Sequence, residues 1–220
     1  MADLVLPNRH QQILITGQNG SGKTAFGAFT LSKADFHRQP YVMIDFKGDD
    51  LLRSIQYVKQ IGLNEIPKHP GVYRVQPKID DEAEDERFFQ WCRAVHARKR
   101  IGLYFDEGYM VPKGRIVNAL YTQGRQLQIP IITLSQRPTF LTRFAVSEAY
   151  YHAVFFLSDD DDYKTVSRYV KGEIDRNPPK FCCTYYDVAQ RATFYLNPCP
   201  PPEEIQQRIE DRLRPKRRAI

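Results

Sequence analysis

The sequence predicts an α/β fold in which a mainly parallel central sheet is flanked by helices. One observation is that short apolar runs alternate along the chain with helix-compatible segments, as strands and crossover helices do. Another is that a glycine-rich octapeptide, GQNGSGKT at 17–24, follows the first apolar run, ILI at 13–15. Finally, two β-rich runs at 181–186 and 191–196 flank a short turn, which predicts an antiparallel hairpin at the C-terminal edge.

The elements follow in chain order. Strands are predicted at about residues 11–16, 41–45, 72–75, 101–105, 129–134 and 153–157. Helices are predicted at about residues 23–34, 49–60, 113–127 and 160–171. Another helix should begin in the acidic segment DDEAEDE at 80–86 and continue through FFQWCRAVHARKR, because acids favour a helix N-terminus and bases its C-terminus. This preference accounts for the acidic residues at the start of the helix and the basic residues at its end, without a bound ligand.

Length and charge indicate one folded domain with a basic end. The 220 residues suffice for one sizeable α/β domain, which we place at 1–197. The segment NPCPPPEE then begins a proline-rich linker and a basic C-terminal tail, 198–220, in which IQQRIEDRLR could form a helix. The net charge is +6, and five basic residues lie in the last nine positions. The tail is therefore either a solvated end or a contact for nucleic acid or a partner.

The chain has no apolar stretch of the roughly 20 residues that span a bilayer, and its N-terminus lacks the pattern of a signal peptide. We therefore expect an intracellular protein with no membrane-spanning segment. The cysteines form no C-x-x-C pair, and no histidine lies at metal-ligand spacing from them. Reduced thiols and no zinc site are expected.

The octapeptide satisfies G-x-x-x-x-G-K-[ST], the pattern of a P-loop. Its backbone N–H groups and the following helix N-terminus form a cradle for phosphates. Lys23 is expected to reach the β- and γ-phosphates, and the Thr24 hydroxyl to hold Mg²⁺. The predicted ligands are thus ATP and Mg²⁺, and the predicted binding residues are Gly17, Gln18, Asn19, Gly20, Ser21, Gly22, Lys23 and Thr24.

A second apolar strand, IGLYFDE at 101–107, ends in two acids, as a Walker B element does. Asp106 at the carboxyl end of this strand is expected to help hold Mg²⁺. Glu107 is positioned to polarise a water for attack on the γ-phosphate, which favours hydrolysis over phosphoryl transfer to a metabolite. The alternative is an Asp-Glu pair that caps the following helix.

The next strand also ends in polar residues. In IPIITLSQ at 129–136, Ser135 and Gln136 follow an apolar run. If this strand lies beside the Walker B strand, Gln136 could orient the attacking water or sense loss of the phosphate. An ordinary strand-end glutamine is equally compatible with the pattern.

Four elements together resemble the FtsK/HerA superfamily of P-loop motors. They are GQNGSGKT, IDFKGDD at 44–50, YFDE at 104–107 and GRQLQIPIITLSQRP at 124–138, and the resemblance spans about residues 11–172. SQRP is similar to the family's sensor-strand signature, which strengthens the sensor role of Gln136. DFKG is similar to its D-x-K-G element, although Phe46 stands where proline is common.

The resemblance implies a catalytic arginine about eleven residues before the sensor glutamine. Arg125 occupies that position, and Arg137 and Arg143 are weaker candidates. Such an arginine would act in trans on the site of a neighbouring subunit, which implies a homo-oligomeric ring, either a hexamer or a pentamer.

Within this superfamily, a chain without membrane segments or extra domains is most similar to viral genome-packaging ATPases. That branch implies an ATP-hydrolysing motor that moves double-stranded DNA into a preformed capsid, with a capsid vertex or portal protein as partner. It would act in the host cytoplasm and could be virion-associated. Candidate DNA contacts are Lys47, Lys113 and Arg115. The alternative for Lys113 and Arg115, which the pattern favours, is that they are solvated charges at the start of a helix. The alternatives are a phage assembly or secretion-type ATPase and, in a different class, a non-motor NTP-binding protein or nucleotide kinase.

Overall fold

The computed structural model describes residues 5–78, 81 and 83–215. They form a sheet with helices on both faces. The strands are β1 (Gln12–Thr16), β2 (Pro40–Asp45), β3 (Lys59–Gln60), β4 (Gly71–Val75), β5 (Gly102–Asp106), β6 (Ile131–Ser135), β7 (Tyr151–Val154), β8 (Cys183–Asp187) and β9 (Ala192–Leu196). The helices are α1 (Lys23–Lys33), α2 (Asp50–Ser54), α3 (Glu84–Arg98), α4 (Arg115–Leu127), α5 (Arg143–Ser147), α6 (Asp160–Ser167) and α7 (Pro202–Leu213).

The strand order across the sheet is β3-β4-β2-β5-β6-β1-β7-β8-β9. The pairs from β3 through β7 are parallel, whereas β8 runs antiparallel to both β7 and β9. The predicted α/β fold, with its mainly parallel sheet and its C-terminal antiparallel hairpin, is confirmed. In this order, β6 and β5 lie on one side of β1, and β7 and β8 lie on the other side.

Each face of the sheet has its own apolar core. On one face, Phe88, Trp91 and Val95 of α3 pack with Phe105 of β5. On the other face, Phe26 and Leu31 of α1 pack with residues of β1 and β7. Because most strands are buried on both faces, their sequences read as continuous apolar runs rather than as alternating patterns.

Some element bounds differ from the prediction. The helix predicted at 49–60 is only α2, which the Asp49 side chain caps at its N-terminus. Tyr57 then takes a positive φ of 65°, and the short strand β3 follows along β4. Strand β7 begins at Tyr151 because residues 151–154 pair with β1, so Phe155 and the two residues after it leave the sheet beside the glycine-rich loop.

The C-terminal helix predicted from IQQRIEDRLR is present as α7. Ile205 and Ile209 are fully buried against the α1 face, and Arg212 donates to the backbone carbonyl of Ala34 over 2.7 Å. The packed structure therefore continues past residue 198, where the sequence predicted a linker and tail, as far as Leu213. The tail residues 216–220, residue 79, and residues 80 and 82 of the acidic segment lie outside the described residues.

The four cysteines, Cys92, Cys182, Cys183 and Cys199, are free thiols, and the first and third are buried. Among the residues described above, no helix combines the length and the apolar character needed to cross a bilayer.

Candidate active site

The predicted site residues, except Arg125, meet at the carboxyl edge of the parallel strands. The glycine-rich loop follows β1, Asp106 ends β5, and Gln136 follows β6. These three strands are neighbours in the order β5-β6-β1. Open α/β sheets bind ligands at this edge, where loops leave the strands.

The loop at residues 17–22 is anchored to the strands on either side of β1. Gly17 N–H donates to the carbonyl of Ser135 over 3.1 Å, and Gln18 N–H donates to the carbonyl of Phe156 over 2.8 Å. A Cβ at Gly17 would lie 2.6 Å from Phe155 Cβ, so only glycine fits there. Gly22 has a φ of 99° at the N-cap of α1, and Lys23 and Thr24 begin the helix. The arrangement can hold phosphate groups at the positive end of α1.

Glu107 lies at the centre of the site. It is 2% exposed and has a positive φ of 61° in the turn after β5. Its Oε1 accepts from Lys47 Nζ and from Gln136 Nε2, each over 2.6 Å, and lies 3.5 Å from Lys23 Nζ. Its Oε2 is buried and accepts no hydrogen bond from any described residue. One carboxylate oxygen is therefore held by donors while the other is available to accept a proton.

Two further carboxylates lie near Glu107 at the strand ends. Asp106 and Asp45 are register partners at the ends of β5 and β2. Asp45 Oδ1 accepts from the N–H groups of Gly48 and Asp49, which fixes the turn after β2. Burial, followed by the charges of Glu107 and the other nearby carboxylates, raises the pKa of Asp106 to about 7. The ammonium of Lys23 acts in the opposite direction.

Buried oxygens without hydrogen-bond partners collect at this edge. Among the described residues, they include one side-chain oxygen each of Thr16, Ser21, Asp45, Asp106 and Glu107. Such atoms cost free energy unless a ligand or water satisfies them. Within the described part of the chain, no group of three or more His, Cys, Asp or Glu side chains is placed to hold a metal ion. Mg²⁺ nevertheless fits, because it commonly binds one or two carboxylates together with substrate phosphates and water.

Lys47, which was predicted as a DNA contact, donates to Glu107 Oε1 in the structure, and its contact with DNA stays a prediction. Burial alone would lower the pKa of Lys47, but the hydrogen bond and charge of Glu107 raise it above its usual value. The sequence carried the D-x-K-G element that contains this lysine. It could not show that β2 lies beside β5, which is what brings Lys47 and Glu107 together.

Arg125 is not brought to the other site residues of the same chain. Helix α4 starts after β5 at the site edge and runs back across the sheet, so Arg125 in its last turn lies at the opposite edge. There its Nη1 donates to the hydroxyl of Tyr150, which directly precedes β7, over 3.2 Å. Arg125 therefore cannot contribute to the site of its own subunit, and a role in trans stays a prediction.

The two weaker arginine candidates differ in their contacts. Arg137 directly follows Gln136 and forms ion pairs with Asp159 and with buried Asp162 of α6, at 3.2 and 2.8 Å. Sequence reasoning missed these pairs, because α6 is far away along the chain. Arg143 is exposed at the start of α5, with its guanidinium over the ring of Phe144.

Comparisons with known proteins identify the family of this chain. No family model matches the sequence. The chain is 38% identical to the DNA packaging ATPase P9 of Enterobacteria phage PRD1 over an alignment of 216 positions, which covers 93% of this chain and 94% of that protein. This chain belongs to the phage DNA packaging ATPases. The predicted resemblance to viral genome-packaging ATPases is thereby confirmed.

Solved structures show the same fold. The genome packaging NTPase B204 of Sulfolobus turreted icosahedral virus 2, in complex with ATP-gammaS, matches with a TM-score of 0.66 and 15% identity, over 87% of this packaging ATPase and 99% of B204. The EssC structure containing ATPases 2 and 3 from Geobacillus thermodenitrificans matches with a TM-score of 0.60 and 15% identity, over 93% of this chain and 44% of that one. This chain thus shares its fold with both structures.

Proposed function

We propose that this packaging ATPase uses Glu107 as the general base that activates water for attack on the γ-phosphate of ATP. The observation that supports this assignment is the state of the two Glu107 oxygens. Oε1 is fixed by Lys47 and Gln136, and buried Oε2 has no partner among the described residues. A carboxylate held in this way presents one oxygen at a constant position, as general-base catalysis requires. Gln136 orients Glu107, and its amide can sense the γ-phosphate.

Mg²⁺ would be held by the Thr24 hydroxyl and the Asp106 carboxylate, beside the lysine that starts α1. The ion supplies positive charge that neutralises the phosphates during hydrolysis. Gly17, Gln18, Asn19, Gly20, Ser21, Gly22 and Lys23 then bind the phosphates through backbone N–H groups and the lysine ammonium. The unpartnered oxygens of Asp106 and Asp45 support a cation at this position.

The motor is proposed to package double-stranded DNA into a preformed capsid at a vertex or portal protein, in the host cytoplasm. The 38% identical relative from phage PRD1 is a DNA packaging ATPase, which supports this role. Lys113 and Arg115 are exposed at the start of α4 and are retained as candidate contacts to the phosphate backbone. A ring of subunits is proposed because Arg125 can act only on a neighbour's site.

The experiment is to measure ATP hydrolysis with and without long double-stranded DNA. We expect DNA to stimulate hydrolysis by the wild type. Glu107→Gln should still bind ATP but hydrolyse it about 10² to 10⁴ times more slowly. The matched control is Glu203→Gln, which changes an exposed glutamate in the first turn of α7, a helix that contributes no site residue.

Two outcomes would contradict the proposal. Retained turnover in Glu107→Gln would remove this residue as the base. Absence of stimulation by DNA, together with transfer of phosphate to a nucleoside, would exclude the motor function. Electron microscopy of the protein with a slowly hydrolysed ATP analogue and duplex DNA would count the subunits of the ring.

A further inference from the structure

A cleft lies beside the phosphate-binding loop, on the side away from Glu107. It has a volume of about 280 Å³, and its walls are the loop at residues 18–21, Phe156, and the segment at residues 178–182 that leads into β8. The lining combines two aromatic rings and two prolines with loop backbone. Clefts of this mixed character are typical of ligand sites.

The order of the strands gives the direction in which a nucleotide would lie. Glu107 and Gln136 follow β5 and β6, on one side of β1. Phe156 and Phe181 flank β7 and β8, on the other side of β1. A triphosphate that places its γ-phosphate near Glu107 must therefore lead its α-phosphate, sugar and base toward the cleft.

Phe181 is held in an unusual position at this cleft. It is 44% exposed and has a φ of 65°, which is rare for a bulky side chain. Its ring lies against Gly22, where an added Cβ would come within 3.1 Å of Phe181 Cδ1. Residues held in sparsely populated backbone conformations cost free energy and cluster at active sites and ligand clamps.

Two neighbours complete the binding surface. Phe156 is 39% exposed on the same cleft, and its carbonyl accepts from Gln18 N–H of the phosphate loop. Lys180 places its Nζ 4.9 Å from the centre of the Phe181 ring. The cleft therefore offers aromatic faces and a cation next to the position of the phosphates.

We propose that this cleft binds the base of the nucleotide and that Phe181 is the surface on which the base stacks. The inference rests on the proposed binding of ATP at the glycine-rich loop. Stacking acts on the face of any base, so Phe181 provides affinity and does not distinguish adenine from guanine. Lys180 Nζ lies over the same ring, and this exposed side chain must move aside when a base stacks there.

The test compares ATP with inorganic triphosphate, which has the same phosphates and no base. Binding of each is measured by calorimetry with Mg²⁺ for the wild type, Phe181→Ala, Phe181→Trp and Tyr195→Ala. We expect Phe181→Ala to raise the Kd for ATP about 5- to 100-fold, the range for loss of one stacked base, and to leave the Kd for triphosphate within about twofold. Phe181→Trp should retain ATP affinity.

The control Tyr195→Ala removes an aromatic ring that is 63% exposed on β9, outside the cleft, and should change neither Kd. Equal weakening of ATP and triphosphate by Phe181→Ala would overturn the proposal, because the ring would then only shape the loop. Unchanged ATP affinity would overturn it as well. Failure of the wild type to bind either ligand would instead contradict the proposed ATP site itself.

Discussion

Lys47 Nζ lies 2.6 Å from Glu107 Oε1, and Lys23 Nζ lies 3.5 Å from the same oxygen. A cation from the start of α1 and one from the loop after β2 thus converge on the carboxylate that we propose as the base. Both ammonium groups would also attract a γ-phosphate, so the phosphate and Glu107 compete for the same positive charge. This competition ties the position of Glu107 to the phosphates present in the site.

The first prediction concerns Lys47→Met, which removes one of these charges. A hydrogen bond to a charged group contributes about 1.5 to 3 kcal/mol, so the Kd for ATP should rise roughly 10- to 100-fold. The Kd for ADP should change much less, because ADP has no γ-phosphate. Both constants can be measured by equilibrium binding of the nucleotides.

Lys68→Met provides the control, since Lys68 is exposed and precedes β4, at the edge of the sheet opposite the site. Equal loss of ATP and ADP affinity in Lys47→Met would disprove a specific contact with the γ-phosphate. If Lys47→Met lost only the stimulation of hydrolysis by DNA and kept its affinity for both nucleotides, Lys47 would be assigned a contact with DNA.

The second prediction tests Arg125 in trans by mixing inactive subunits. Arg125→Ala and Glu107→Gln should each lose most of the DNA-stimulated hydrolysis, because a catalytic arginine contributes about 10³ to 10⁵ in rate. In mixed rings, however, an intact Glu107 can meet an intact Arg125 from its neighbour. Hydrolysis should therefore recover partly on mixing, as measured by phosphate release at several ratios.

A mixture as inactive as its components would show that Arg125 has no role in trans. The control is to mix Glu107→Gln with Glu107→Gln,Arg125→Ala, in which no interface has both groups. The geometry makes the test sharp, because Arg125 lies at the far edge of the sheet from Glu107 of its own chain.

The residues predicted from the sequence are those that short motifs specify. The loop at residues 17–24, Asp106, Glu107 and Gln136 each stand at the end of an apolar run, and parallel strands bring such ends to one edge. The fold class followed from the same alternation of apolar runs and helices. Their convergence in space could therefore be expected before the structure.

Other features depend on placement that local patterns do not encode. Lys47 reaches Glu107 only because β2 lies beside β5. Phe181 reaches the loop only because β8 adds to β7 in the antiparallel sense. Helix α7 is mainly polar, and it packs on the domain through two buried isoleucines that are four residues apart. The rest of this segment has the composition of a tail.

The third prediction tests the packing of α7. Ile209→Ala should lower the free energy of unfolding by about 2 to 5 kcal/mol, because Ile209 is fully buried in the α1-face core. Gln207→Ala, an exposed position of the same helix, should change it by less than about 0.5 kcal/mol. Urea denaturation measures both. Equal stability of the two variants would show that α7 does not stabilise the domain.

The fourth prediction uses the raised pKa of Asp106, about 7 in the folded chain against 3.8 for the free group. Between these values the folded state holds a proton that the unfolded chain has released. The contribution of Asp106 to the free energy of unfolding of the wild type is therefore most favourable below about pH 4, and it falls as the pH rises to 7. Asp106→Asn should gain stability relative to wild type across this range, measured by urea denaturation without Mg²⁺. A difference that does not depend on pH would contradict the assignment.

The fifth prediction has the opposite sign and concerns His152, which is buried in β7 with its pKa lowered by that burial to about 4, against 6.5 for the free group. Between pH 4 and 6.5, the imidazole of His152 is protonated in the unfolded chain and neutral in the folded chain. The stability from neutral His152 is thus complete above pH 6.5 and is lost as the pH falls toward 4, by roughly 3 kcal/mol in total. His152→Leu should remove this dependence, so the advantage of wild type over the variant should shrink with falling pH. Urea denaturation at pH 4.5, 5.5 and 6.5 tests this, and an advantage that grew on acidification would show that the imidazole is charged in the folded state.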